Sequence, residues 1–324
     1  FQVEAIASID RGHSVLVSAP TGSGKTRIAE YAVSVALDAR RRAFYTTPIK
    51  ALSNQKFHDL RRIHGDGRVG LLTGDTSIDG DAPVVVMTTE VLRNMIYARS
   101  SALDDLEWVV LDEVHYLQDE SRGSVWEEVI IHLPSHVRLV CLSATVSNAD
   151  ELGEWISIVR GPIDIVTEDR RPVQLDNWYL VDDRNARDLA LIPTLVDGRP
   201  SPDGRRFDTT PHERVRGARR RFATPGRVEV IELLRDRSML PAIHFIFSRA
   251  GCDDAVTACL RAGLRFTDDE QRERIIEIAE RHVEQLSDSD LRVLRYGEWI
   301  DGLGRGIAAH HAGLVPPFKE AVEE

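Results

Sequence analysis

The chain has 324 residues, a length that fits about two domains, with 42% hydrophobic and 29% charged residues. That balance excludes a disordered polypeptide, and no apolar run approaches the ~20 residues of a membrane-spanning helix. The formal net charge of -11 argues against a protein that coats nucleic acid through general basicity.

The chain opens at Phe1 rather than Met, inside a helical pattern, and is expected to be a piece of a longer protein. Short β-branched runs then alternate with amphipathic stretches. Strands are predicted at residues 15–18, 42–46, 69–72, 84–87, 108–111, 138–142 and 164–166, with helices at 25–38, 49–63, 90–98, 126–133 and 148–159. Near-continuous apolar strands separated by helices predict an α/β class with a doubly wound, mostly parallel sheet. Such a sheet binds ligands beyond the C-terminal ends of its strands. Arg170-Arg171-Pro172 marks a boundary, and residues 182–227, rich in Pro, Gly, Asp and Arg, read as a loop or insertion. A strand at 242–247 is expected to open a second α/β unit, followed by a helix at 250–261. A charged helix at 268–286 comes next, with Ile275, Ile278, Ala279, His282, Val283 and Leu286 on one side. Ser287 is an N-cap candidate for a further helix, with Asp290 three residues on.

Three residue types stand out against this background. The basic residues are nearly all arginine, and the only lysines are Lys25, Lys50, Lys56 and Lys319, so each retained lysine is informative. Cys141, Cys252 and Cys259 form no CxxC pair. They fit a reducing cytoplasm, give no zinc or disulfide framework, and for Cys252 and Cys259 read as small buried hydrophobes. The adjacent pair His310-His311 lacks a nearby Cys or carboxylate in sequence and reads as structural rather than metal-binding.

The chemistry concentrates at the ends of the predicted strands. Ala19-Pro20-Thr21-Gly22-Ser23-Gly24-Lys25-Thr26 directly follows the first one. Its glycines let backbone N–H groups wrap toward phosphate oxygens, and the following helix adds its positive N-terminal end. Lys25 is placed to reach β/γ-phosphates and the Thr26 hydroxyl to sit on Mg²⁺. Ala19 stands where the strict pattern has Gly, so the strand–loop–helix context carries the assignment. Val109-Val110-Leu111-Asp112-Glu113-Val114-His115 puts two carboxylates at the end of another buried strand. Alone, such a pair is as often a solvated turn. Beside a phosphate loop, Asp112 is placed to hold Mg²⁺ and Glu113 to orient or deprotonate water. Ser143-Ala144-Thr145 closes the next strand.

In this order the three motifs resemble superfamily 2 helicases of the DExH type, P-loop NTPases built from two RecA-like domains. Thr46-Thr47-Pro48-Ile49-Lys50-Ala51-Leu52 resembles motif Ia. Thr73-Gly74-Asp75 and Met87-Thr88-Thr89-Glu90 resemble later nucleic-acid motifs, and Phe247-Ser248-Arg249 resembles motif IV. Gly123-Ser124-Val125-Trp126-Glu127-Glu128 and the stretch from Arg305 to Leu314 resemble the Ski2-like branch. The resemblance implies a RecA-like domain at 1–168 and a linker with the first strand of a second domain at 169–181. An insertion at 182–227 and an incomplete second RecA-like domain at 228–324 follow, because the family's motifs V and VI come later than this stretch. Without motif VI, negligible RNA-stimulated ATPase is expected of these residues alone.

The resemblance also implies roles. ATP and Mg²⁺ would occupy Ala19–Thr26, Asp112 and Glu113, with Gln2 reading the adenine edge and Phe1 packing nearby. His115 would link the nucleotide site to moving parts, and Ser143 and Thr145 would couple nucleotide state to domain movement. Pro48, Lys50, Gly74, Thr88, Thr89, Ser248 and Arg249 would contact the threaded strand. The arginines at 205–206 and 219–221 either extend that path or solvate a loop. The implied activity is ATP-driven 3′-to-5′ translocation and unwinding of single-stranded or 3′-overhang RNA, with RNA-degradation machinery as a partner and no membrane. A DNA helicase of the related repair branch, a nucleotide-gated scaffold that does not unwind, and a metabolic P-loop kinase are the alternatives. A net charge spreads over a whole surface, so -11 does not exclude one basic cleft.

Overall fold

In the computed structural model, which describes residues 1–183, 188–207 and 222–324, the apolar runs of the first half are strands separated by helices. In chain order they are α1 (Gln2–Asp10), β1 (Ser14–Ser18), α2 (Thr26–Asp38), β2 (Arg42–Thr47), α3 (Lys50–His64), β3 (Val69–Leu72), β4 (Ser77–Ile78) and β5 (Val84–Thr88). They continue with α4 (Thr89–Tyr97), β6 (Leu106–Leu111), α5 (Gly123–His132), β7 (Arg138–Ser143), α6 (Ala149–Arg160) and β8 (Ile163–Thr167). These strands form one eight-stranded sheet in the order β4-β3-β5-β2-β6-β7-β1-β8. Every pairing in it is parallel except β3 with β4.

Alternation along each strand explains why the runs are apolar at nearly every position. Val15, Val17, Tyr45, Val86 and Val110 face a cluster with α1, α2 and α3, through Ala5, Ile9, Ile28, Val33, Phe57 and Leu60. Their neighbours Leu16, Phe44, Val85, Val109 and Leu111 face a second cluster with α4, α5 and α6, through Leu92, Trp126, Ile130, Leu152 and Ile156. A sheet covered on both faces needs apolar residues on both, so no polar alternation survives. Helices and strands of this part start and end within one or two residues of the predicted limits. The exceptions are α5, which begins at Gly123 three residues early, and the short strand β4, whose two exposed residues carry no apolar signal.

Contacts divide the chain into two compact units, Phe1–Gln174 and Leu175–Glu324. The second contains β9 (Trp178–Asp183), β10 (Asp188–Pro193), β11 (Leu195–Val196), β12 (Arg199–Pro200) and β13 (Phe222–Ala223). It continues with α7 (Arg227–Asp236), α8 (Arg249–Arg261), α9 (Asp269–Val283), α10 (Asp288–Val293), α11 (Tyr296–Gly304) and α12 (Pro316–Glu323). Strand β9 pairs antiparallel with both β10 and β13. Where its residues are described, the stretch 182–227, expected as a loop or insertion, holds strands and a short 3-10 helix, Pro202–Phe207. One signal for this was present: Asp197-Gly198 joins β11 to β12 with φ of 51° and 72°, the two left-handed positions of a tight hairpin. The Arg219–Arg221 cluster lies outside the described residues, as do the side chains of Arg205 and Arg206.

The strand expected at 242–247 does not form. The described strands of this unit pair with one another, and a β segment without a ladder partner leaves its N–H and C=O groups to water. Ile243, Phe245 and Phe247 accordingly stand exposed, Phe247 completely. The helical expectations fare better. Ser287 accepts a bond from the Asp290 N–H at 3.2 Å and caps α10, and Ala279 packs with Leu303 and Ala321 in a small core. His310 meets Glu323 at 2.7 Å, while His311 meets Asp253 at 3.0 Å and accepts from the Gly313 N–H. Both thus have structural partners. Cys141 and Cys259 are buried; Cys252 is half-buried with its thiol 3.6 Å from the Ile246 carbonyl. Among the described residues no helix is long and apolar enough to cross a membrane.

Candidate functional site

Parallel strands deliver their C-terminal ends to one edge of the sheet, and the strand order sorts the motifs along it. The loop after β1, the acidic box after β6 and Ser143-Ala144-Thr145 after β7 occupy adjacent strands, β6-β7-β1. The motif Ia loop after β2, Thr88-Thr89 after β5 and Thr73-Gly74-Asp75 after β3 occupy the neighbouring strands, β3-β5-β2.

On the first half, Gly22 and Gly24 hold φ of 81° and 90°, where residues with a Cβ are strained. At Gly24 a Cβ would also lie 2.6 Å from the Gln2 amide nitrogen. Gln2 donates to the Gly24 carbonyl at 3.0 Å, so it braces the loop directly. The loop also leans on β7, with the Ala19 N–H donating to the Ser143 carbonyl at 3.2 Å. Lys25 curls over the loop and donates to the carbonyls of Ala19 at 2.7 Å and Pro20 at 3.1 Å. Burial lowers its pKa, opposed by the charges of Glu113 and Asp112. Thr21 and Gly22 are exposed, Ala19 and Pro20 are buried beneath them, and Ser23 presents a hydroxyl that is buried without a partner.

Asp112 is fixed from three sides. Its backbone N–H donates to the Thr46 carbonyl, one carboxylate oxygen accepts from the Glu113 N–H at 3.0 Å, and the other accepts from the Tyr45 hydroxyl at 2.8 Å. Tyr45 is fully buried, and burial with the nearby Asp112 charge holds its hydroxyl protonated, well above the usual range. Glu113 sits at φ 54°, ψ 44°, a left-handed turn that ends β6 and starts the short 3-10 helix Val114–Gln118. Its carboxyl is pushed up by burial first and by Asp112 second, against His115, Lys25 and Lys56. His115 lies 3.3 Å from Glu113 and accepts from the Ala144 N–H at 3.5 Å, which bridges the acidic box to Ser143-Ala144-Thr145. Ser143 is buried with an unpartnered hydroxyl, and Thr145 is exposed.

These groups suit a magnesium nucleotide. The Thr26 hydroxyl and the Asp112 carboxylate are hard oxygen donors, and Mg²⁺ is commonly held by one or two such groups plus phosphates and water. Among the described residues there is no cluster of three or more His, Cys, Asp or Glu able to hold a metal by itself. The Ser23 hydroxyl is buried and orphaned in a loop whose two glycines are left-handed, a polar group still lacking a partner.

On the second half the predicted contacts divide by exposure. Lys50 is exposed and forms an ion pair with Asp75 at 2.6 Å; Gly74 beside it is exposed, and Thr88 is half-buried. Pro48 and Thr89 are buried, with the Pro48 carbonyl taken by Arg122 and the Thr89 hydroxyl donated to the Thr47 carbonyl. Buried and bonded in this way, those two help to build the loop. Ser248 and Arg249 belong to the second unit, where Ser248 caps α8 by accepting from the Gly251 N–H at 3.1 Å.

Sequence reasoning missed three residues of this edge. Lys56 reaches from α3 to donate to the Thr26 hydroxyl at 3.1 Å, a second cation at the phosphate loop. Its rarity as a lysine was the available signal. Tyr45 and Arg122 lie inside runs that read as strand and loop, and only the tertiary contacts mark them.

The profile of the DEAD/DEAH box helicase family matches residues 1–152. Over the whole chain, 52% of residues are identical to the probable helicase HelY of Mycobacterium tuberculosis, across 337 aligned residues that make up 37% of that protein. Superkiller complex protein 2 of Homo sapiens is 38% identical over 340 residues, 27% of its length. The exosome RNA helicase MTR4 of Mus musculus is 38% identical over 336 residues, 31% of its length. The chain thus spans about a third of each relative, all of it aligned. A phosphate loop, an acidic box and a serine-threonine motif on adjacent parallel strands match that likeness: residues 1–152 form a DEAD/DEAH box helicase domain, in a chain homologous to HelY, Ski2 and Mtr4.

Proposed function

We propose that this chain is the ATP-dependent core of an RNA helicase that moves 3′ to 5′. The observation that carries the reading is the sorting of motifs along one sheet edge. Nucleotide groups on β6-β7-β1 stand beside strand-contact groups on β3-β5-β2, so a change in one half has a short route to the other. The name of the exosome RNA helicase MTR4 favours RNA over DNA.

Each residue has a physical role in this reading. The loop N–H groups and the α2 N-terminus bind phosphate, and Lys25 exchanges its carbonyl partners for phosphate oxygens. Thr26 and Asp112 would hold Mg²⁺, which neutralises phosphate charge. Glu113 takes a proton from the attacking water, and its raised proton affinity makes it a better acceptor than an exposed glutamate. Gln2 braces the loop from below, with adenine recognition as its second task. Ser143, Thr145 and His115 carry the change from the acidic box to the rest of the protein. Lys50, Gly74 and Thr88 grip sugar-phosphate on the first unit, and Ser248 and Arg249 do so on the second.

The test uses the full-length protein on matched RNA and DNA duplexes with 3′ or 5′ overhangs. Unwinding of the 3′-overhang RNA with ATP and Mg²⁺ is expected. Equal or DNA-favoured unwinding would defeat the RNA assignment. Glu113→Gln should bind ATP and abolish unwinding; if unwinding survives, the hydrolytic mechanism is wrong and the scaffold reading gains.

A further inference from the structure

Arg122 sits where no motif assignment places a function, yet it reaches from the segment after the acidic box to the motif Ia half of the sheet edge. It follows the 3-10 helix Val114–Gln118 that leaves the acidic box. Its guanidinium donates to the Pro48 carbonyl at 2.5 Å, in the motif Ia loop after β2, and to the Glu90 carboxylate in the first turn of α4 after β5. The group is only half-buried, and its central carbon lies 5.8 Å from the ring centre of the fully buried Trp126.

The segment that presents it is built tightly. Asp119 accepts from the N–H groups of Ser121 and Arg122, each at 2.9 Å, and from the Ser121 hydroxyl at 2.6 Å. Gly123 lies so near the 3-10 helix that a Cβ there would meet the Leu117 carbonyl at 2.1 Å. Tyr116 stacks on Trp126 with ring centres 5.8 Å apart. Backbone bonds run back to Glu113: the Tyr116 N–H donates to the Glu113 main-chain carbonyl and the Asp119 N–H to the Tyr116 carbonyl. Glu113 and Arg122, nine positions apart, are thus joined by bonded backbone, and Arg122 is joined in turn to Pro48 and Glu90.

We propose that Arg122 is the positioning residue that couples the acidic box to the nucleic-acid half of the edge. It holds the motif Ia loop and the start of α4 in the register that the nucleotide-bound acidic box dictates. A rigid, doubly charged clamp suits that task, because a charge-assisted pair between two loops has one preferred geometry. The proposal rests on the helicase reading above. A contiguous chain of contacts is a route and not yet a coupling, so the coupling itself must be measured.

The experiment uses the full-length protein and compares wild type with Arg122→Ala, Arg122→Lys and Glu90→Gln. It measures ATP turnover with and without saturating single-stranded RNA, affinity for that RNA, and Tm. Arg122→Ala should lower the ratio of stimulated to basal turnover about tenfold or more, the effect of losing one or two charge-assisted bonds. Basal turnover and RNA affinity should stay within about threefold. Arg122→Lys should recover part of the ratio, since it keeps the charge beside Glu90. A ratio within about twofold of wild type, or a parallel fall of basal and stimulated turnover, would overturn the proposal. If Arg122→Ala does not fold, Glu90→Gln is judged by the same ratio, because it leaves Arg122 on Trp126 and Pro48. Wild-type protein with no nucleic-acid stimulation at all would overturn the helicase reading and this proposal with it.

Discussion

Lys56 changes the electrostatics of the nucleotide site. The half-buried Lys25 already supplies one positive charge, and its burial disfavours the charged form. Lys56 adds a second on the far side of Thr26, at 3.1 Å from its hydroxyl. Two cations against Asp112 and Glu113 leave the region near neutral before a polyanion enters. Removing one charge from such a site costs on the order of 1–2 kcal/mol of attraction for a phosphate several ångströms away. Lys56→Ala should therefore weaken binding of a fluorescent ATP analogue about tenfold. An unchanged affinity would reduce Lys56 to a surface charge that happens to touch Thr26.

Helix α1 shows how an element is held to the sheet. Ala5 and Ile9 are buried in the core, and full burial of a side chain the size of Ile9 contributes roughly 1.5–3 kcal/mol. The polar link is weaker: Arg11 and the following His13 meet Asp164 of β8 at 3.0 and 3.1 Å. Partial burial works to raise the Asp164 pKa, but its bonds to Ser8, His13 and Arg11 outweigh that and leave the carboxyl below the usual aspartate range. A depressed acid contributes stability above its unfolded pKa, and that contribution is lost as pH falls through the folded one. Asp164→Asn should thus lower Tm slightly at pH 7, and the gap to wild type should close as the solution is acidified below the ordinary aspartate range. A partly exposed pair is worth at most about 1 kcal/mol, so a shift of a few degrees is the ceiling. A gap that stays constant with pH would show that packing, not charge, accounts for it.

At the scale of the whole molecule the two units differ in kind. Both large core clusters, the eight-stranded sheet and the nucleotide half of the edge lie in Phe1–Gln174. In Leu175–Glu324 the described core is small, centred on Ala279, Leu303 and Ala321, and Ile243, Phe245 and Phe247 stand exposed. Residues 1–174 produced alone should therefore unfold cooperatively in urea, with a midpoint close to that of the more resistant transition of the whole chain. Residues 175–324 alone should unfold at lower urea. A single shared transition of the intact chain, absent from residues 1–174, would show that the first unit depends on the second.

How much was legible follows from the range of each interaction. The strands and helices of the first unit, the phosphate loop, the acidic box and the Ser287 cap were readable because each depends on neighbours within a few residues. Alternation, a glycine at a left-handed turn and a serine before a helix are local devices. The expected strand at 242–247 failed because a strand is completed only by another strand, and no sequence window contains its partner.

The sequence by itself determined the class of chemistry, since phosphate-binding glycines, a lysine and paired carboxylates must sit at strand ends to work at all. Tertiary structure alone decided which strand lies beside which. The order β3-β5-β2-β6-β7-β1 set the phosphate loop and acidic box next to the motif Ia loop and Thr88-Thr89, brought Lys56 to Thr26, and closed Arg122 onto Pro48 and Glu90. These contacts join residues 30 to 74 positions apart, and such pairs are chosen by burial of the two sheet faces and not by any local propensity.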